Sequence, residues 1–566
     1  MKSIKGVACG FAGALILTLA RASAATDEDA KIAQVERGLM TPVVIAGQPA
    51  PPMNLQDRMR HYHIPSVSIA FFDASGVRWA RAYGATPSTL FQAGSISKPV
   101  SAVGIMRLVQ DGKLNLDANV NTELTGWKLP ENALTAKQPV TLRELLSHTA
   151  GTTVHGFGGY ERGTPVPTLE QVLDGTAPAN SPAVRVDLQP GTQYRYSGGG
   201  YAIAQLLAIE AMHEPFATYM QATVLGPMGM TDSTFEQPLP RAWQSRAAVA
   251  TDASGKPYPG EWHVYPELTA AGLWTTPTDL ARFAIGVQHS LDGDPNAVLS
   301  KQTALEMLTP VKDGYALGFG ITGTGPATSF GHLGANAGFQ ASFTMRRGGE
   351  GVAIMTDSDN GIELIGEILR SVGAAYGWSG YAPKQKTLYA MAPASLARFT
   401  GAYDDAGDVV SVEQRAGSLV LLDSFGEHRL YPEAPARFFM LDDDLDLTFV
   451  PDASGAIVSV SLGDGGDVGK KMPPFPPVVA LGTATLASYA GTYKLDKSVF
   501  VITVAGDRVF SKLDEQRAIE LFPSARDRFF VKIVNATITF ARDASGAVNA
   551  LTLHQNGKNL EFTKAP

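Results

Sequence analysis

Ser95 and Lys98 stand three residues apart in Phe91-Gln92-Ala93-Gly94-Ser95-Ile96-Ser97-Lys98-Pro99, just ahead of a run carrying apolar Val100, Val103, Ile105, Met106, Leu108 and Val109. If Ser95 opens a helix there, Lys98 projects from the same face one turn on. A serine hydroxyl is a poor nucleophile unless a neighbour takes its proton. A lysine enclosed away from other cations can be neutral enough to do so, and a helix N-terminus favours the negative charge that develops. Alone, the Ser-x-x-Lys spacing is a weak signal, because a chain this long contains about one by chance. A helix cap beside a solvated lysine is the plain alternative. Other hydrolase patterns fail: the chain has no Gly-x-Ser-x-Gly elbow, no His-Glu-x-x-His helix and no P-loop. One cysteine, Cys9, and ten dispersed histidines supply neither a disulfide framework nor metal spacing, so no metal or other cofactor is expected.

Two further segments carry candidate chemistry. Gln189-Pro190-Gly191-Thr192-Gln193-Tyr194-Arg195-Tyr196-Ser197-Gly198-Gly199-Gly200-Tyr201 leads into a helix-like stretch from Ala202 to Met212. Phe330-Gly331-His332-Leu333-Gly334-Ala335-Asn336 runs directly into a strand pair. Read by themselves, Tyr196 fits a packed core aromatic and His332 a structural histidine at a strand start. With Leu145-Leu146-Ser147-His148-Thr149-Ala150-Gly151, Pro227-Met228-Gly229-Met230 and Ala271-Gly272-Leu273-Trp274-Thr275-Thr276, however, the chain resembles the serine β-lactamase-like hydrolases over roughly residues 35 to 380. The branch is that of class C β-lactamases, D-aminopeptidases, D,D-carboxypeptidases and family VIII esterases, which carry Ser-x-x-Lys, Tyr-x-Asn, then Lys-Thr-Gly or His-x-Gly.

The resemblance implies Ser95 as nucleophile, Lys98 as its proton shuttle and Tyr196 as the relay to the leaving group. It implies His332-Leu333-Gly334 as the strand lining the acyl pocket, and the backbone N–H groups of Ser95 and Ala335 as an oxyanion hole. Two departures bear on substrate. Gly198 stands where the family has the asparagine that reads a substrate amide and contacts the lysine. His332, a weaker cation near neutral pH, stands where β-lactamases hold a substrate carboxylate with lysine. Efficient β-lactam hydrolysis is therefore the lesser expectation. His148 reads as a partner of backbone groups in its turn, and His155, in Val154-His155-Gly156-Phe157-Gly158-Gly159-Tyr160, as a surface-loop residue.

The elements that must position these residues follow from periodicity. Ser66 to Phe72 and Val77 to Tyr83 read as a hairpin across Asp73-Ala74-Ser75-Gly76. Phe339 to Arg346 and Val352 to Thr356 read as a second hairpin, followed by a helix with Ile362, Ile365, Ile368, Leu369 and Val372 at helical spacing. A sheet built from the two ends of the domain, with a helical insert between them, is the expected α/β catalytic fold, its chemistry lying where insert meets sheet. After about residue 390 short strands take over and a repeat emerges. Leu396-Ala397-x-Phe399-x-Gly401-x-Tyr403 returns as Leu486-Ala487-x-Tyr489-x-Gly491-x-Tyr493. Tyr431-Pro432, Arg437-Phe438-Phe439 and Asp452-Ala453-Ser454-Gly455 return as Phe522-Pro523, Arg528-Phe529-Phe530 and Asp543-Ala544-Ser545-Gly546. Each copy is expected to close as a small antiparallel β-barrel. The expected division is a signal peptide over 1-24, a β-lactamase-like catalytic domain over 25-388, barrel repeats over 389-472 and 483-566, and a Pro-rich linker over 473-482.

Composition sets the outer bounds. The 566 residues are 45% hydrophobic and 18% charged, ordinary for a folded multidomain protein. A net charge of −8 without basic blocks gives no footprint for nucleic acid. Lys2 and Lys5, the apolar run Gly6 to Ala20 and the small residues of Ala22-Ser23-Ala24 read as an export signal too short to span a membrane. Cleavage after Ala24 removes three bases and no acid, leaving a cysteine-free protein of net charge −11 with no membrane span, exported to the periplasm or medium of a bacterium. The expected partner is a small peptide, amide or ester substrate, and the leading expectation is a D-aminopeptidase-like enzyme cleaving a small amide or peptide through an acyl-enzyme on Ser95. One catalytic domain followed by two barrels most resembles D-aminopeptidases. A carboxylesterase is the alternative, then a weak β-lactamase or D,D-carboxypeptidase. From a different class, the chain could be a catalytically inactive cell-wall or partner-binding protein. Asp404, Asp405, Asp443 and Asp444 read as solvated turn charges before they read as holders of a substrate amine.

Overall fold

The computed structural model describes residues 27–565 apart from residues 52, 406, 425, 464–467, 496–497 and 514–517, so the signal expected over 1-24 lies outside the described residues. Contacts divide the chain into two units. The first runs up to Met40 and resumes from Pro52 to Ala382; the second is Thr41–Pro51 together with Pro383–Pro566. Thr41–Pro51 groups with the second unit because Val43–Ile45 pairs in parallel with Lys384–Lys386. A three-residue strand carries too little periodicity to announce that partner.

In the first unit the expected hairpin is β1 (Val67–Asp73) and β2 (Gly76–Tyr83), turned where the Asp73 carboxylate accepts from the amide and hydroxyl of Ser75. From the other end come β3 (Gly320–Thr322), β4 (Ser329–Asn336), β5 (Phe339–Arg346) and β6 (Gly351–Thr356). They make one six-stranded antiparallel sheet in the order β2-β1-β6-β5-β4-β3, so the chain's two ends meet at β1 and β6. Between β2 and β3 lies the helical insert, with α1 (Ser97–Gln110), α2 (Gly198–Met212), α3 (Leu268–Ala271) and α4 (Pro277–Asp292). The start of α4 is locally dictated: Thr276 caps the Asp279 amide and Pro277 takes the first helical position, where no N–H is needed.

The alternation of β1 serves two cores. Ile69 and Phe71 pack with Val352, Ile354 and the Leu364, Ile365, Ile368 and Val372 stripe of α5 (Gly361–Tyr376), while Ala70 and Phe72 join the larger core shared with α1 and α4. α1 is buried from Ser97 to Met106, its polar Ser97, Lys98 and Ser101 included, because other elements enclose it. Its burial decides the state of Lys98.

The second unit holds two closed eight-stranded antiparallel barrels, Gly401–Asp405 to Val468–Lys471 and Gly491–Leu495 to Lys558–Lys564. The repeated motifs have repeated jobs. The Tyr403 hydroxyl donates to the Phe399 carbonyl (2.8 Å) and Tyr493 to the Tyr489 carbonyl (2.7 Å), both rings fully buried. Tyr431-Pro432 and Phe522-Pro523 each precede a register shift that bends the wall, and Asp452 and Asp543 close equivalent turns on Ser454 and Ser545. Glu413 pairs with Lys532 of the other barrel (2.7 Å), and the linker's Phe475 stacks on Phe530. Asp404 accepts from Asn535 and the Gly407 amide, and Asp444 pairs with Lys384, so these acids are engaged within their own unit. Replacing Tyr493 by Phe strands the buried Tyr489 carbonyl. We expect denaturant unfolding of the second barrel to shift by about 1–2 kcal/mol, and Tyr403→Phe to match it in the first.

Candidate active site

Ser95 does not itself open α1. It sits in a tight turn, Gly94–Ile96, immediately before the helix, and is the one residue between Phe91 and Val100 that is not fully buried. Three contacts fix the turn. Phe91–Gln92 pairs with Trp274–Thr275, the Ser97 hydroxyl donates to the Gly94 carbonyl (2.7 Å), and the same oxygen accepts from the Leu273 amide (3.0 Å). Lys98 then points back from the first turn of α1. Its Nζ lies 2.8 Å from Ser95 Oγ and 3.0 Å from the carbonyl oxygen of Ala270 in α3. The rings of Tyr196 and Tyr201 lie 4.8 and 5.6 Å away, and the residue is 2% exposed. Burial alone brings the Lys98 amine down to about 7. Near neutrality it is therefore free to accept the Ser95 proton.

Tyr196 stands two residues before α2, and its hydroxyl hydrogen-bonds Ser95. Burial pushes the phenol well above its ordinary range, so it keeps its proton. The helix start is held by Ser197, whose hydroxyl accepts from Gly200 and donates to the Thr153 carbonyl. Here the glycine run finds its reason. The Gly198 amide donates to the His155 carbonyl (2.9 Å), and a Cβ at this position would stand 3.0 Å from the Phe157 ring. At Gly199 it would meet the Thr153 carbonyl at 2.7 Å. A backbone loop and a phenyl ring fill the place of the missing side chain, and the Ala270 carbonyl is Lys98's second partner. His155 is exposed, yet its ring lies 4.9 Å from that of Tyr196.

β4 closes the site from the sheet side. A Cβ on Gly334 would lie 1.9 Å from the Ala93 carbonyl oxygen, and one on Gly94 (φ +50°) would lie 2.5 Å from the Ala335 nitrogen. Two backbones thus touch beside Ser95 and Ala335, and neither glycine tolerates a side chain. His332 hydrogen-bonds the Leu333 carbonyl through Nδ1 and Tyr315 through Nε2 (2.9 Å). A carbonyl only accepts, so Nδ1 carries the hydrogen and Nε2 accepts from the tyrosine. Burial and the Lys98 charge bring this imidazole down to about 3, so it is neutral in use and supplies no cation.

All seven residues singled out in the sequence, Ser95, Lys98, Tyr196, Gly198, His332, Gly334 and Ala335, therefore border one site. Four others were not assigned a place in it. Tyr315 and Ala270 contribute a hydroxyl and a carbonyl, which no motif spacing marks. His148 packs under Tyr196 (rings 4.2 Å apart), and its Nδ1 accepts from the Ser197 amide, the backbone role expected of it. Glu267, at the N-terminus of α3, is fully buried, and neither carboxyl oxygen has a partner among the described residues. Burial pushes its carboxyl up to about 7. Because the folded state holds that proton more tightly, Glu267's contribution to stability falls as pH rises from about 4.5 to 7.

The Beta-lactamase family model matches residues 53–372, and a domain of unknown function (DUF3471) matches residues 476–564, the second barrel. Among curated relatives, Penicillin-binding protein 4 of Amycolatopsis lactamdurans is 26% identical over 346 residues, 54% of this chain and 86% of that protein. Penicillin-binding protein 4* of Bacillus subtilis (strain 168) is 22% identical over 483 residues, 84% of this chain and 88% of its own length. The octameric penicillin-binding protein homologue from Pyrococcus abyssi superposes with a TM-score of 0.51 at 19% identity, covering 82% of this chain and 98% of that one, and so shares its fold.

Two substitutions test this geometry. Gly334→Ala forces β4 away from the serine turn and is expected to lower kcat/KM by about 10²–10³-fold with the circular dichroism spectrum retained. Gly198→Asn must displace Phe157 and is expected to destabilise the fold by about 1–3 kcal/mol in thermal unfolding. Most of that cost should vanish when Phe157→Ala is already present.

Proposed function

Because the chain belongs to the Beta-lactamase family, we propose that it is a serine hydrolase that cleaves a small uncharged ester through an acyl-enzyme on Ser95. The observation that carries this is the Lys98 amine, buried without an acid and 2.8 Å from Ser95 Oγ. Neutral Lys98 takes the hydroxyl proton as Oγ bonds to the substrate carbonyl carbon, and the displaced electron pair goes to the carbonyl oxygen. The amides of Ser95 and Ala335 receive that oxyanion. Collapse breaks the bond to the leaving group; Tyr196 hands its proton to the departing atom and is reprotonated from Lys98. Water repeats the sequence against the acyl-enzyme, releasing the acid and restoring Ser95.

The ester stands first because Gly198 offers no side-chain amide to read a peptide, and neutral His332 offers no charge to hold a substrate carboxylate. Turnover of a β-lactam or a D,D-dipeptide is correspondingly weak in this reading. A D-aminopeptidase-like activity is the second reading, supported by the order of a catalytic unit followed by two barrels. It needs an anchor for the substrate ammonium, and the cavity beside Tyr196 is lined by no carboxylate. Export belongs to the same proposal and rests on the signal-like start. Among the described residues no helix is long and apolar enough to cross a membrane.

Wild type and Ser95→Ala should be compared on p-nitrophenyl butyrate and on D- and L-alanine p-nitroanilide. Ester turnover that the variant loses, with both anilides untouched, is the expected outcome. Cleavage of the D-anilide alone would establish the second reading. Failure of activated esters and fluorescent penicillin alike to label Ser95 would favour a binding protein. The pH profile gives an independent check: kcat/KM should rise about tenfold per unit below pH 7 and level off above it, since only the neutral amine of Lys98 accepts the proton.

A further inference from the structure

A cavity of about 380 Å³ begins at Tyr196 and His332 and runs past Tyr315 and Gly331 to Leu333, Leu369 and Tyr381. Its volume falls in the range of small-molecule sites. No Lys, Arg, Asp or Glu lines it, and its one imidazole is neutral. At Gly320 and Gly331 the facing positions of β3 and β4 carry no side chain, so the edge of the sheet leaves the passage open. Beyond it, Leu333 is 55% exposed and Leu369 is only half-buried, although both are apolar. Such a lining favours an apolar guest and penalises a charged one.

The position of Tyr196 decides which part of a substrate enters. Its hydroxyl is bonded to Ser95, and its ring forms the cavity wall. A group that delivers a proton to the leaving atom must stand within hydrogen-bond reach of it. The chain beyond that atom then continues along the Tyr196 wall. We infer that this cavity is the leaving-group subsite, that it takes the uncharged, apolar alcohol portion of an ester, and that Leu369 and Tyr381 set the length accepted. The inference rests on the roles proposed above for Ser95 and Tyr196.

Acetates of methanol, butanol and hexanol test it, because their leaving groups have nearly equal basicity and differ only in apolar length. In the wild type kcat/KM should climb about tenfold or more from methyl to hexyl acetate. Leu369→Trp should bring that ratio close to one, and Leu333→Asp, at an exposed position that folding does not depend on, should lower it as well. A ratio unchanged in both variants overturns the inference. So does a Leu369→Trp effect that follows acyl length, in methyl acetate against methyl hexanoate, in place of alcohol length. A second readout needs no turnover: calorimetry of 1-naphthol with Ser95→Ala protein, with and without Leu369→Trp. If no ester is hydrolysed while 1-naphthol binds and Leu369→Trp abolishes binding, the subsite stands and the catalytic proposal falls. Ester turnover without length dependence or naphthol binding overturns the subsite alone.

Discussion

A lysine buried without an acid is the constraint on which the rest of this molecule turns. An amine taken out of water prefers to be neutral, and a carboxylate beside it would restore the charge. The surroundings of Lys98 obey that rule: the buried first turns of its own helix, two tyrosine rings beside it, and a backbone carbonyl and a serine hydroxyl as its partners. The neutral His332 and the uncharged lining of the neighbouring cavity belong to the same electrostatic design. On the reading proposed above, the burial that lets Lys98 act as a base would also select for uncharged substrates.

Around that amine, the site is assembled by backbone against backbone. Gly94 and Gly334 let the serine turn and β4 approach until their backbones touch. Gly198, Gly199 and Gly200 let the loop at 152–157 close over the start of α2. Hydrogen-bonded chain held this closely needs no reorganisation when charge develops, which is where catalysis by fixed dipoles gains its strength. At Gly198 the ring of Phe157 stands where a side chain would begin.

The paired barrels show a repeat preserved for physical reasons. Positions that recur after 90 or 91 residues are the plug tyrosine and its carbonyl, the proline before a bulge, an adjacent aromatic pair of which Phe438 and Phe529 fill the barrels, and the Asp-closed turn. Each is a place where an eight-stranded wall must end, bend, fill or reverse. The intervening residues differ, those that line each interior remaining apolar.

Much of this was legible in the sequence alone. Strand-like runs joined by Gly-containing turns marked both hairpins, helical spacing marked α5, and recurrence after 90 or 91 residues marked two barrels. Ser95, Lys98, Tyr196 and His332 were recognisable because their side chains carry the chemistry and their motifs are local. Other features were decided only by the tertiary structure. Whether Lys98 is charged depends on burial by α1 and α3, which no spacing encodes. The use of Gly198 depends on Phe157, some forty residues away, and the Ala270 carbonyl, being backbone, has no signature at all. The departure of Thr41–Pro51 to the second unit hangs on three residues pairing with Lys384–Lys386. Sequence names the groups that can react. Desolvation and contact between distant segments set their protonation and what they meet, and those exist only once the chain is folded.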